Sequence, residues 1–232
     1  MRRNNSAEEK KKAGLSGSAY LIGITGGVGA GKSAVLSEIK ACFPVFLIEA
    51  DETGRELMEP GKPVFSALLA HYGEEILLSD GTIDRRKLSD IGMKDEESQK
   101  ILNGLEHPII KDEILRRIRE IEDGGKDALG KKTERPVILL EAALLVEGNL
   151  SELCDEVWYI FAPKAVRLKR LRESRGYSRE KALSIMARQL SYREFRAHSD
   201  YVIHNGSDFT ITQADIHRRM KEIFTSLCDS EV

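Results

Sequence analysis

The sequence has 232 residues, of which 41% are hydrophobic and 32% charged, as is ordinary for a globular protein with one mid-sized domain. Its formal net charge of −2 argues against a general nucleic-acid binder, whose binding domain is normally strongly basic. No apolar run approaches the roughly 20 residues needed to cross a bilayer. We therefore expect neither nucleic acid nor a membrane among the partners of this protein.

The N-terminal residues 1–19 are polar and partly basic, with no apolar core of the kind a signal peptide needs. This composition predicts a disordered tail, and a basic arm that contacts a partner is the alternative. The cysteines Cys42, Cys154 and Cys228 form neither a CxxC pair nor a zinc-finger spacing. Scattered cysteines are typical of reduced thiols, so we expect a cytoplasmic location.

Residues 26–33 read GGVGAGKS and fit the P-loop pattern G-x-x-x-x-G-K-[S/T]. The apolar run at residues 20–24 predicts a strand before this loop, and a helical pattern begins at Ser33. In such a loop the backbone N–H groups surround phosphate, Lys32 reaches the β- and γ-phosphates, and the Ser33 hydroxyl binds Mg²⁺. We predict an ATP and Mg²⁺ site formed by Gly27, Val28, Gly29, Ala30, Gly31, Lys32, Ser33 and Ala34.

Apolar runs along the chain predict the remaining strands of the sheet. They occupy residues 45–48, 136–140, 157–161 and 201–203. The β-loop-α-β order at the start predicts a parallel sheet with right-handed crossovers. We therefore predict an α/β fold, with a parallel sheet core flanked by helices.

The middle of the sequence, residues 53–133, is helical and charged in character. Asp84 is placed to cap a helix, and isoleucines spaced by three or four predict an amphipathic helix over residues 109–121. We predict a single domain over residues 20–232, with this segment as a helical insertion on the sheet. Its core would comprise residues 20–52, 134–163 and 198–232, and residues 164–197 would form a lid.

A P-loop indicates a nucleotide triphosphate but leaves open a small-molecule kinase, a GTPase switch and a motor or transport ATPase. Residues 51–54 match the D-x-x-G string of GTPases, but no Asn-Lys-x-Asp guanine motif follows. Glu141 follows the third predicted strand without an adjacent Asp, and the chain is short for a motor. These features favour a kinase. Residues 20–232 would then form a single P-loop kinase domain, in which the helical insertion, residues 53–133, binds the acceptor.

Asp51 comes just after the second predicted strand, at the edge where open α/β sheets bind ligands. A carboxylate there can take or orient the proton of an acceptor hydroxyl during phosphoryl transfer. Capping of the next helix is the alternative role.

Several segments together resemble the dephospho-coenzyme A kinases. Residues 23–33, GITGGVGAGKS, are similar to the family's GLTGGIGSGKS, and residues 50–57, ADETGREL, to its A-D-x-x-x-R-E. Leu102 and the His107-Pro108 pair match L-x-x-x-x-H-P, and residues 200–205 match the C-terminal part. The resemblance covers residues 20–225. It implies a P-loop kinase that phosphorylates the ribose 3′-hydroxyl of dephospho-coenzyme A with ATP, the last step of coenzyme A biosynthesis.

The resemblance also implies roles for individual residues. They are Asp51 as the acceptor-hydroxyl base, Arg55 and His107 as substrate contacts, Glu141 as a holder of the metal's water shell, and Asn205 as a nucleotide contact. A turn-fixing role for His107 and a helix cap for Glu141 are the alternatives. His204 stands where the family commonly has Asp.

Residues 164–193 carry ten basic and two acidic residues, a local net charge of +8. A mobile cationic cover of this kind would neutralise the transferred phosphate and exclude water, and the family carries a lid here. We predict phosphate contacts from Arg170, Arg175 and Arg188. A solvated helix face or an RNA-binding stretch is the alternative, although aromatic residues are scarce there.

Two other functions stay open at this stage. One is a nucleoside or nucleotide kinase with the same architecture and a different acceptor pocket. The other is a nucleotide-dependent switch without turnover. We expect a monomer or a weak homo-oligomer.

Overall fold

The computed structural model describes residues 2–124, 135–146 and 148–229. The chain divides into two compact units, Met1–Leu47 with Glu120–Val232 and Ile48–Arg119. We call the first the sheet unit and the second the helical unit. The boundary expected between insertion and core, at residues 133 and 134, lies outside the described residues.

The sheet has five strands in the order β2-β3-β1-β4-β5. Their bounds are β1 Tyr20–Thr25, β2 Val45–Glu49, β3 Val137–Glu141, β4 Glu156–Phe161 and β5 Tyr201–His204. The pairs β1–β3, β1–β4 and β4–β5 are all parallel. The predicted α/β fold with a parallel sheet is confirmed, and each predicted strand lies within two residues of an observed one.

Helices form the rest of both units. The sheet unit contains α1 Arg2–Lys12, α2 Lys32–Cys42, α7 Lys164–Arg175, α8 Arg179–Ala187, α9 Tyr192–Ala197, α10 Phe209–Cys228 and a 3-10 turn at Leu150–Leu153. The helical unit is built from α3 Ala50–Leu57, α4 Pro63–Tyr72, a 3-10 turn at Glu74–Ile76, α5 Arg85–Lys94 and α6 Glu96–Glu122. No helix in the described part of the chain is long and apolar enough to cross a membrane.

The core of the sheet unit lies between the sheet and the pair of helices α2 and α10. Val35 and Ile39 of α2 join Ile216 and Met220 of α10 in one cluster with the central strands. Trp158 of β4 is fully buried there. Parallel strands covered by helices are apolar along their length, which is why the sequence shows continuous apolar runs rather than alternation.

The N-terminal segment differs from the disordered tail that we predicted for residues 1–19. Residues 2–12 form α1, and the side chain of Lys10 is buried. Lys10 donates to Oδ2 of Asp155 at 2.5 Å and to the carbonyl oxygen of Ala19 at 2.9 Å. The cause is a charge pair distant in sequence, which composition does not reveal.

The helical unit has a separate apolar cluster that includes Leu57, Leu68 and Leu88. Asp84 caps α5 as predicted, since its side chain accepts from the backbone N–H groups of Arg86 and Lys87. The longest helix of this unit, α6, was predicted to begin at residue 109. It begins instead at Glu96 and continues through Pro108.

Packing explains the continuity of α6 across a proline. Leu102 and Leu105 before Pro108 pack against the same apolar cluster as Ile109 and Ile110 after it. Burial of this stripe offsets the roughly 3 kcal/mol that an internal proline costs a helix. The alternative of His107 as a residue that fixes a turn is therefore wrong, because His107 lies inside a helix.

Candidate functional site

The glycine-rich loop joins the end of β1 at Thr25 to the start of α2 at Lys32. Gly31 precedes the helix with φ 91°, a left-handed conformation that side chains rarely adopt. A Cβ at this position would come within 2.3 Å of Nδ2 of Asn205. The loop therefore needs glycine here both for its backbone conformation and for the close approach of Asn205.

Lys32 is held at the base of the loop by two oxygens. Its Nζ lies 3.1 Å from the carbonyl oxygen of Gly26 and 3.2 Å from Oε1 of Glu141. Glu141 is the last residue of β3 and is buried, and the strand register sets it beside Ile24 of β1. The parallel pairing of β1 with β3 thus brings the predicted phosphate-binding lysine and the predicted metal carboxylate together. Ser33 is exposed in the first turn of α2.

A second set of contacts reaches the loop from α7. Arg167 donates from Nε to the carbonyl oxygen of Val28 at 2.8 Å and from Nη2 to Oε1 of Gln189, also at 2.8 Å. Gln189 accepts from the backbone N–H of Val28 at 3.0 Å. Partial burial lowers the pKa of the Arg167 guanidinium. Arg167 and Gln189 therefore bind the backbone C=O and the backbone N–H of one loop residue, Val28.

Neither Arg167 nor Gln189 was among the predicted site residues. Two signals in the sequence concern them: Arg167 shares a helix face with Arg170, three residues away, and Gln189 begins a short segment, residues 189–191, that also resembles the family's C-terminal part. The close packing is visible only in the structure, where a Cβ on Gly27 would come within 2.3 Å of Nη2 of Arg167.

The three predicted lid arginines occupy different positions. Arg170 contacts the loop, donating from Nη1 to the carbonyl oxygen of Ala30 at 3.1 Å. Arg175 is exposed at the end of α7, and Arg188 is exposed at the end of α8. The structure therefore brings Arg170 to the loop and leaves the side chains of Arg175 and Arg188 accessible to solvent.

Asn205 lies directly after β5 and is buried. Its Nδ2 donates to the carbonyl oxygen of Ala30 at 2.9 Å. The hydroxyl of Thr212 in α10 donates to the carbonyl oxygen of His204 at 3.0 Å and lies 3.5 Å from Oδ1 of Asn205. Asn205 thus ties the loop to the end of β5, whereas its predicted contact with the nucleotide stays a prediction. His204 is exposed, with its ring edge-on to Phe161 at 5.5 Å.

Asp51 and Arg55 belong to the helical unit. Asp51 is exposed in the first turn of α3, and Glu49 rather than Asp51 occupies the cap position of that helix. The alternative role of Asp51 as a helix cap is therefore wrong. Arg55, also exposed, forms an ion pair with Glu52 one turn earlier.

His107 is partly buried in the middle of α6, and burial lowers its pKa. Its neighbour Glu106 has a buried Oε1 without a hydrogen-bond partner in the described part of the chain, and burial raises the pKa of this carboxyl to about 7. The hydroxyl of Tyr72 is also buried and has no hydrogen-bond partner among the described residues. Sequence reasoning missed Glu106 and Tyr72, since nothing in their spacing marks them.

A parallel sheet with a P-loop after its first strand, a lysine beside a strand-end carboxylate and an arginine-bearing helix on the loop define a P-loop kinase. Comparison with known proteins narrows this class. Residues 20–210 match the family model of dephospho-CoA kinase. The chain belongs to the dephospho-CoA kinase family.

Individual relatives agree with this assignment. The chain is 34% identical over 196 residues to the dephospho-CoA kinase of Carboxydothermus hydrogenoformans, covering 84% of this chain and 90% of the relative. It is 35% identical over 208 residues to that of Frankia casuarinae, covering 90% and 83%. The solved structure of dephospho-CoA kinase from Campylobacter jejuni matches the fold with a TM-score of 0.62 at 21% identity, over 88% of this chain and 97% of that one.

These matches confirm the family resemblance and the P-loop kinase fold predicted from the sequence. They also confirm that the protein is an ATP-dependent kinase, a transferase with a small-molecule acceptor.

Proposed function

We propose that this protein transfers the γ-phosphoryl group of Mg·ATP to the ribose 3′-hydroxyl of dephospho-CoA and so produces CoA. Family membership over residues 20–210 carries the proposal. The arrangement of Lys32, Glu141 and the glycine-rich loop supports the donor half of the reaction.

On the donor side, Lys32 exchanges its contacts with Gly26 and Glu141 for the β- and γ-phosphates. The backbone N–H groups of the loop and the positive end of α2 add to the attraction. Arg170 and Arg167 already contact the loop, so their charge lies close to the phosphates when ATP binds. Arg175 and Arg188 complete the cover as the lid closes.

The donor set fits Mg²⁺, which prefers oxygen ligands and keeps several waters. The exposed hydroxyl of Ser33 would supply one oxygen, and the carboxylate of Glu141 would hold water around the ion. Bound there, the ion would neutralise charge on the β- and γ-phosphates.

On the acceptor side, Asp51 takes the proton of the 3′-hydroxyl. The acceptor oxygen then forms a bond to the γ-phosphorus while the bond to the β–γ bridging oxygen breaks, which releases ADP. Two observations support this role: Asp51 is exposed, and it is not used as a helix cap. Arg55 and His107 contact the acceptor, and a neutral imidazole suits hydrogen bonding to it.

We expect the reaction to take place in the cytoplasm, in keeping with the three scattered cysteines of the sequence. We expect a monomer or a weak homo-oligomer. A nucleoside or nucleotide kinase is the other candidate, since the same loop serves any acceptor.

The proposal is tested with purified protein, Mg·ATP and either dephospho-CoA or a panel of nucleosides and nucleotides. We expect rapid formation of CoA and slow or no transfer to the panel. Phosphorylation of the panel alone would overturn the choice of acceptor. Absence of any transfer, with ATP still bound, would favour the nucleotide-dependent switch.

A further inference from the structure

A cluster of three potential metal ligands lies where α2 packs against α10. It consists of Glu38, Cys42 and His217, and the ligand atoms of all three lie within 4.8 Å of one another. Glu38 and Cys42 are four residues apart and therefore share one face of α2. His217 reaches them from α10.

The geometry of the cluster is partly fixed by its neighbours. Oε1 of Glu38 lies 2.7 Å from Nε2 of His217 and 3.5 Å from Sγ of Cys42. The other carboxylate oxygen, Oε2, accepts from Nε2 of Gln213 at 2.8 Å. The ring of Phe43 lies edge-on to the imidazole of His217 at 5.4 Å and restrains its orientation.

We propose that Glu38, Cys42 and His217 bind a Zn²⁺ ion, with Gln213 as a positioning residue that orients the carboxylate. A carboxylate oxygen, a thiolate and an imidazole nitrogen are each common zinc ligands. In a tetrahedral site these donors are separated by about 3.3–3.6 Å. The present contacts of 2.7 Å and 3.5 Å need only a small opening to admit the ion.

The thiolate makes this site selective against the Mg²⁺ that serves catalysis, because Mg²⁺ requires oxygen ligands. Cys42 is exposed, so the ion has a path from solvent. Binding replaces the thiol proton, which leaves to solvent, and a water molecule fills the fourth position.

The site joins the end of the P-loop helix to the C-terminal helix. Cys42 lies ten residues beyond Lys32 in an 11-residue helix, which is about 15 Å along its axis. The ion would therefore stabilise the packing of α2 on α10 without touching the phosphate-binding loop. No spacing rule reveals this site, because its ligands meet only when the two helices pack.

The full-length protein, stripped with a chelator, is titrated with Zn²⁺ alone and with Co²⁺ as a spectroscopic probe. We expect one bound ion per chain, a thiolate-to-Co²⁺ charge-transfer band and a higher melting temperature with Zn²⁺. Cys42→Ser and His217→Gln should abolish the band, and Gln213→Ala should weaken binding about 10- to 100-fold.

Cys228→Ser is the matched control, because Cys228 is another exposed cysteine, located at the end of α10. It should bind like the wild type. Kinase activity of the Cys42→Ser variant should remain at the wild-type level, which shows that the variant folds. The proposal is overturned if the wild type binds no Zn²⁺, or if Cys42→Ser and Cys228→Ser behave alike.

Discussion

Lys10 and Asp155 form a buried ion pair, with Nζ of Lys10 2.5 Å from Oδ2 of Asp155. Asp155 precedes β4 and also accepts from the hydroxyl of Ser6 at 3.1 Å and from the backbone N–H of Leu21 at 2.8 Å. One carboxylate thus joins α1 to the start of β1. The N-terminal segment is therefore part of the sheet unit.

Lys10→Met should lower the free energy of unfolding by about 3 kcal/mol, because it leaves the charge of the half-buried Asp155 poorly compensated. Lys12→Met is the matched control, since Lys12 is exposed and pairs with Glu8 and Glu9 on the surface. That substitution should cost less than about 1 kcal/mol. Urea denaturation measures both, and equal small losses would mean that α1 is not anchored by Lys10.

Gln189 should affect ATP binding through the loop. Gln189→Leu removes the acceptor for both the N–H of Val28 and Nη2 of Arg167, so the KM for ATP should rise about tenfold. Gln189→Glu keeps an acceptor oxygen for both groups and should stay within about threefold of the wild type. Steady-state kinetics with varied ATP measures the effect. An unchanged KM for Gln189→Leu would show that the loop holds its conformation without this contact.

Glu106 should make the stability of the helical unit depend on pH. Burial raises the pKa of this carboxyl from 4.5 to about 7, so the unfolded chain loses the proton first as the pH rises. The free energy of unfolding is therefore highest below pH 4.5. It falls by up to about 3 kcal/mol as the pH rises to about 7. Glu106→Gln removes this loss.

The measurement compares the free energy of unfolding of the wild type and Glu106→Gln at pH 5 and pH 8. The advantage of the glutamine variant should be larger at pH 8. Both proteins keep His107, so its titration cancels in the comparison. A pH-independent difference would show that Glu106 ionises normally in the folded protein.

Asp51→Asn should keep ATP affinity and lower the turnover number by at least about 100-fold, because the amide cannot take a proton from the acceptor. Glu52→Gln is the control, as Glu52 is an exposed carboxylate of the same turn that pairs with Arg55. Its turnover should remain within a few-fold of the wild type. Turnover of Asp51→Asn near the wild-type rate would exclude the proposed base.

Much of the fold follows from local sequence. Each predicted strand corresponds to an observed one because buried parallel strands are continuous apolar runs. Asp84 was recognised as a cap because capping depends on residues only two or three positions away. The start of α6 was missed because apolar packing on both sides of Pro108 outweighs a local helix breaker.

The site residues likewise fall into those that local sequence predicts and those that only the packed structure reveals. Lys32 and Ser33 follow from a motif in which spacing fixes geometry. Arg167 and Gln189 meet Val28 across more than 130 positions of sequence, and no local pattern encodes such contacts. The ion pair of Lys10 with Asp155 could not be predicted for the same reason.

A dephospho-CoA analogue that lacks the 3′-oxygen decides whether the proposed acceptor position is right. With Mg·ATP and saturating acceptor, dephospho-CoA should yield CoA with the new phosphate on the 3′-oxygen, seen by phosphorus NMR. The 3′-deoxy analogue should bind but receive no phosphate. Phosphorylation of the 3′-deoxy analogue at a rate near that of dephospho-CoA would contradict transfer to the 3′-hydroxyl.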